Sequence, residues 1–414
     1  MLQIMQNENI KKIIIISTII LFIGILSYFI FFREKTSTTP DGDSENLFPV
    51  GEVGKVDLGK DFEALKDNPD YLSDQEIAQQ IPILRKISDK PIVGAVIFKK
   101  DLKKDDFYTI RYIEKATGNI YETTTNSLTQ ERISNKTIPK INSAKWIDED
   151  NLIFNYLDND VIKTYSATLT PNASSTILVD LEGVYLQNDI QDLIYFDEDL
   201  FYLINSGTES RGILVDIDNT KPKQIFSSPL KEWLIHNIND KLISFTSKTT
   251  GNTLGYMFIF NSVTKNFSKM LDKKINLSTL PNENLDILYS ENSNSKLQLS
   301  LYNFEEKTTM EIPLKTFPEK CVWSENNINI FCGVPTQVIS NGSLNDWYKG
   351  NVLFSDNIWE IDTSIGKLKE IISIQDLVVE GIDIINLSVT SNNDYLIFMN
   401  KKDFSLWGLQ LISD

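Results

Sequence analysis

The sequence predicts an all-β fold, a seven-bladed β-propeller, preceded by one N-terminal transmembrane helix. Three observations predict it. Short apolar strands separated by polar turns recur from Ile83 to the end of the 414-residue chain. Most recurrences are 41–49 residues apart, and four-stranded propeller blades run about 40–50 residues. One hairpin, KCVWSENNINIFC at Lys320–Cys332, is repeated in variant form at the head of most units. Far upstream, Ile13–Phe32 is a run of 20 residues without a charge, about 30 Å long as a helix and so about one bilayer core.

Taken in order, residues 1–12 read as a cytoplasmic N-terminus and 13–32 as a retained signal anchor, because FFREK follows where a small-residue cleavage site would stand. Lys11 and Lys12 on one side balance Arg33 and Lys35 on the other. Charge alone therefore leaves the orientation open. Anchors of this kind export the long side, which places the C-terminal domain outside the cytoplasm in a single-pass arrangement on the cell membrane. Residues 33–56 are rich in Thr, Pro, Gly, Asp and Ser, a flexible linker. Residues 57–82 are a short lead-in in which Ser73 and Glu76 cap a helix that Pro82 ends.

The propeller spans 83–414. First strands are expected to begin near Ile92, Ile141, Ile190, Lys231, Ile275, Glu319 and Ile384. The last interval is 65 residues, and removing an insertion at 334–356 brings it to 42. Seven units fit, with six or eight as the alternatives. In KCVWSENNINIFC an Asn326-Asn327 turn pairs Trp323 with Ile330 and Cys321 with Cys332, since Asn tolerates the positive φ of a two-residue turn. The seventh unit ends after three strands, and ILRKIS at 83–88 is left over at the other end. Pairing the two would zip the ring shut and remove an exposed edge.

The W-S-x-[DN]-[GN] hairpins, the LIF-type second strands and the W-x-x-D third strand of NIWEIDTSIG resemble the WD40-like or TolB-type β-propellers of bacteria. The anchor, LRKISDKPIVGAVIF, RISNKTIPKI and PEKCVWS…IFCGVP…DWYKG…FSDNIWEID are similar to single-anchor propeller proteins of small-genome bacteria. The resemblance covers nearly the whole chain. It implies a fold and no activity, because propellers host enzymes, platforms and scaffolds alike.

Composition narrows the chemistry. A net charge of −17 argues against nucleic acid as a partner and against docking on anionic lipid. With two cysteines and one histidine, a zinc site of several Cys and His ligands is excluded. No GxGxxG or Walker-type loop is present, so no cofactor is expected. A Ser-His-Asp arrangement would have to use His236, inside the strand-like KEWLIHNI, where a structural histidine is the plainer reading. The acidic clusters at 148–151, 158–160 and 197–200 fall where hairpin turns fall. They read as turn residues rather than metal ligands. Sequons at Asn172 and Asn276 are read as chance.

Two features remain. Cys321 and Cys332, opposed on one face, are either a cross-strand disulfide at the base of the insertion or two buried thiols. The insertion carries Trp347 and Tyr348 beside Asn345, Asp346 and Lys349, a set that suits stacking on a sugar or gripping a peptide. The alternative is a plug, with the two aromatics tucked onto the propeller. The function expected is a binding platform for a cell-envelope protein or glycan. A carboxylate-dependent glycan-active enzyme and a structural envelope component are the alternatives.

Overall fold

The second strand of each unit is the element buried on both faces. Tyr395–Asn400 is buried at every position, and Asp199–Ser206 at five in a row. Such strands read as unbroken apolar runs because both faces of the sheet are covered. The computed structural model describes residues 81–411, apart from 101–105, 135–136, 139, 172–178, 250–252, 294–295 and 340–342. The expected anchor, the linker and nearly all of the lead-in lie outside the described residues, as does Asn172. Among the described residues no helix is long and apolar enough to cross a membrane.

The described residues form seven antiparallel four-stranded sheets. The first strands are Ile92–Phe98, Ile141–Trp146, Ile190–Phe196, Trp233–Asn239, Ser278–Pro281, Cys321–Trp323 and Ile384–Val389. First strands of adjacent sheets touch at five of the seven seams, so they form the inner ring.

Seven apolar clusters sit one to each seam between neighbouring sheets. Period-two alternation distributes the side chains. Ile287 and Tyr289 face sheet 4, while Leu288 between them faces sheet 6. Ile330 and Cys332 face sheet 5, and Phe331 faces sheet 7. The seam between sheets 3 and 4 is built from aromatics, with Phe226 stacked on Phe245 at 4.3 Å.

The last seam closes the ring. Leu84–Ser88 is the outer strand of sheet 7, with Leu84 opposite Leu409 and Lys86 opposite Trp407. Ile87 and Leu406 then pack against Ile92, Ile110 and Tyr112 of sheet 1. Arg85 adds a polar tie, donating to the carbonyls of Thr124 and Ser127 and to the Tyr395 hydroxyl.

Some expectations need correction. Three inner strands begin later than expected, at Trp233, Ser278 and Cys321. Ile275 ends the outer strand Phe267–Ile275 of sheet 4 instead of opening sheet 5. The chain turns at Asn276, whose φ is 54°. In blade 6 the register is as expected, Cys321 opposite Cys332 and Trp323 opposite Ile330. The turn is longer, however. Asn327 N–H bonds the Ser324 carbonyl at 2.9 Å and only Asn327 has positive φ, so the loop is 325–328. True two-residue turns with both φ positive occur at Asn159-Asp160 and Asp197-Glu198, within two of the acidic clusters. In the third, Asp148 caps the Asn151 N–H at 2.7 Å.

Candidate functional site: the insertion over blades 5 to 7

The insertion leaves blade 6 after its second strand, Asn329–Pro335, and rejoins at the third, Asp356–Asp362. Val334, Pro335 and Asp356 thus belong to the sheet, and the insertion proper is 336–355. Its helix, Ser343–Tyr348, lies at the end of the ring where the inner strands begin. There Leu344, Trp347 and Phe354 pack with Phe317 and Leu297.

Beneath the helix is a dry ionic cluster. Lys320 precedes the inner strand of blade 6, Asp383 precedes that of blade 7, and Asp356 opens the third strand of blade 6. All three side chains are 0% exposed. The Lys320 ammonium donates to Asp356 Oδ2 at 2.6 Å, Asp383 Oδ1 at 2.5 Å and the Ile384 carbonyl at 3.1 Å. Asp383 also accepts from Trp347 Nε1 at 3.0 Å on both oxygens and from the Phe354 N–H at 3.0 Å. Asp356 Oδ2 accepts from the Ile384 N–H at 2.6 Å, and its Oδ1 has no partner. Burial pushes the Asp356 carboxyl up to about 6, against the pull of Lys320. The ammonium lies 5.0 Å from the Trp347 ring centre, and Lys401 approaches the same ring at 4.6 Å. Gly333 permits this proximity, because a Cβ there would come within 2.8 Å of Ile384 Cβ.

The expected site residues fall into two groups. Trp347 is 3% exposed and faces inward, the plug arrangement, so its ring is not offered to a ligand. The reason is its indole N–H, which finds its acceptor only below the helix. Tyr348 is 45% exposed, Lys349 is exposed, and Asn345 and Asp346 are partly so. Tyr348 donates its hydroxyl to Glu319 Oε1. Burial raises the Glu319 carboxyl above its usual value, and its Oε2 is buried without a partner. At the base of the insertion Cys321 and Cys332 are bonded, S–S 2.09 Å, with Cα atoms 4.1 Å apart in a non-hydrogen-bonded pair.

Lys320, Asp356, Asp383 and Glu319 were not singled out by sequence. One signal was present: Lys320 stands against the Cys-Val-Trp strand, and Asp383 interrupts the apolar run GIDII. A charge in such a run is buried only when paired.

Elsewhere, His236 lies on the inner strand of blade 4 near Asp192 and Lys145, which form an ion pair at 3.0 Å. Its Nδ1 is buried without a hydrogen bond, so no carboxylate orients the ring as a triad requires. Among the described residues no group of three or more His, Cys, Asp or Glu is placed to hold a metal ion.

No family model matches the chain, and no curated protein matches it in sequence. Solved structures do match in fold. An oligogalacturonate lyase of Vibrio parahaemolyticus aligns over 79% of this chain and 93% of its own, with a TM-score of 0.51 and 11% identity. The chain is a seven-bladed β-propeller. The propeller is also similar to TolB of Acinetobacter baumannii, over 82% of this chain and 83% of that one, at TM-score 0.42 and 11% identity. The β-propeller domain of the Trilobed protease of Pyrococcus furiosus aligns over 77% and 96%, at TM-score 0.46 and 12% identity. At these identities the propeller shares architecture with its neighbours and nothing finer.

Proposed function

We propose that this propeller is a binding platform of the cell envelope, held outside the cytoplasmic membrane by Ile13–Phe32 and presenting the insertion to an envelope protein or glycan. The observation that carries the reading is the contrast between the two faces of the helix Ser343–Tyr348. Its inner face is locked by Trp347 over a fully buried ionic cluster. Its outer side leaves Tyr348 and Lys349 exposed, with Asn345 and Asp346 partly so. A recognition surface gains affinity when its shape is set before the ligand arrives. Loops on a rigid scaffold are where binding residues concentrate.

Full-length protein in detergent, immobilised and washed with envelope extract and its glycan fraction, tests the proposal. Retention of a ligand by the wild type should be lost in Tyr348→Ala/Lys349→Ala. It should persist in Val263→Ser, a distant exposed position. The double variant, which loses the hydrogen bond to Glu319, should melt lower by about 1–3 kcal/mol of stability and still fold. Equal retention by wild type and double variant overturns the proposal. Turnover of a retained glycan that disappears in Glu319→Gln would replace the platform with an enzyme, the reading favoured by the raised Glu319 carboxyl and its free Oε2.

A further inference from the structure

Lys320, Asp356 and Asp383 form an arrangement that stands apart from any recognition role, because none of the three reaches solvent. We propose that Lys320 and Asp356 become joined by an intramolecular isopeptide bond, formed by the folded chain itself with Asp383 as the proton carrier.

Five features of the site supply what amide formation needs. The nucleophile is in place, with Lys320 Nζ 2.6 Å from Asp356 Oδ2. Asp356 Oδ2 already accepts the Ile384 N–H at 2.6 Å, so a donor awaits the negative charge that grows on this oxygen as nitrogen adds to Cγ. Its other oxygen, Oδ1, makes no hydrogen bond and is the one free to leave. Asp383 touches the same ammonium at 2.5 Å and is itself fixed in place by Trp347 Nε1 and the Phe354 N–H, so an acceptor for the proton that nitrogen sheds is already in contact with it. The surrounding rings of Trp347, Phe317 and Phe354 keep the site dry. A dry site favours a neutral amine and carboxylic acid over the ion pair. Burial of Asp356 acts in the same direction.

The step balances without a co-reactant. A proton passes from the ammonium to Asp356 and comes to rest on Oδ1, giving a neutral amine and an acid whose carbonyl oxygen is Oδ2, the acceptor of the Ile384 N–H. The nitrogen lone pair forms the N–C bond at Cγ, and Asp383 accepts the proton that nitrogen sheds. Asp383 then delivers this proton to Oδ1, the C–O bond breaks, and one water leaves. Two of three buried charges vanish. The remaining Asp383 carboxylate keeps its two donors and has Lys401 nearby as a counter-charge. The bond closes a loop between residues 36 apart, around the Cys321–Cys332 bridge and the whole insertion. The cap is then covalently clamped at its base.

The test is the mass of the full-length protein, denatured and with its disulfide reduced, followed by peptide mapping. The expected mass is about 18 Da below that of the sequence, one water. The expected map contains one branched peptide joining Lys320 to Asp356. Lys320→Arg should restore the full mass. Asp356→Asn should lose ammonia, about 17 Da, in place of water. Wild-type protein at full mass, with Lys320 and Asp356 in separate linear peptides, overturns the proposal whether or not the variants fold. A branch at Asp383 overturns the assignment of roles.

Discussion

Trp347 is the side chain on which the insertion rests. It fills the space between Phe317 and Phe354 and satisfies both oxygens of a buried carboxylate. Trp347→Ala removes that volume and one of the donors to Asp383, leaving it the Lys320 ammonium and the Phe354 N–H. The expected loss is about 3–5 kcal/mol, read as a lower denaturation midpoint. An unchanged midpoint would mean that the tryptophan does not bear on the core. His236 gives the opposite kind of dependence, on pH. Burial pushes its imidazole down to about 4, whereas in the unfolded chain it titrates near 6.5. The unfolded chain therefore binds the extra proton first, and stability falls as pH drops from 6.5 toward 4, by roughly 3 kcal/mol at most. His236→Gln should flatten this part of the profile, and unfolding curves of both proteins between pH 7 and pH 4 check it. Parallel profiles would remove His236 from the acid response. Once the amide to Lys320 has formed, Asp356 adds nothing of its own to that profile.

Strands differ in how plainly they were written. Second strands were legible because burial on both faces forces runs such as YLIFMN and LFYLI. Outer strands were the weakest signal. Phe267–Ile275 is mostly exposed, so in sequence its end at Ile275 reads as the start of the next blade. The inner strand Ser278–Pro281 has four residues, too few to show a period. The hairpin of blade 6 kept its register although its turn is two residues longer than expected. Apolar pairs such as Trp323 and Ile330 set the register, and either loop length satisfies them. The disulfide sits within the apolar seam between blades 5 and 6. It acts there as a local brace under the insertion, and a loop this short contributes about 3 kcal/mol or less.

Closure depends on residues more than 300 positions apart, Arg85 with Tyr395 among them. Deleting 83–88 would expose Leu406–Gln410 as a free edge and open the seam held by Ile87, Leu406 and Tyr112. The expected result is aggregation or loss of a single cooperative melt, since an unpaired apolar strand templates association. A soluble deletion variant that melts as sharply as the parent would show that the ring does not need its clasp. The net charge of −17 belongs to the same level of description. It keeps such a large β-rich surface soluble and says nothing about which ligand the insertion meets.

Number and order of blades, the clasp between the two ends and the register that sets Cys321 opposite Cys332 could all be read in advance, while the choice between a disulfide and two thiols could not. Each follows from the alternation of side chains along a strand and from spacing along the chain, which are local properties. Direction was different. Whether Trp347 faces a ligand or the core depends on what lies below it. Lys320, Asp356 and Asp383 come together there from three separate segments, and the structure alone brings them into contact. A buried charge is decided by its partners, and partners distant in sequence leave no period to read.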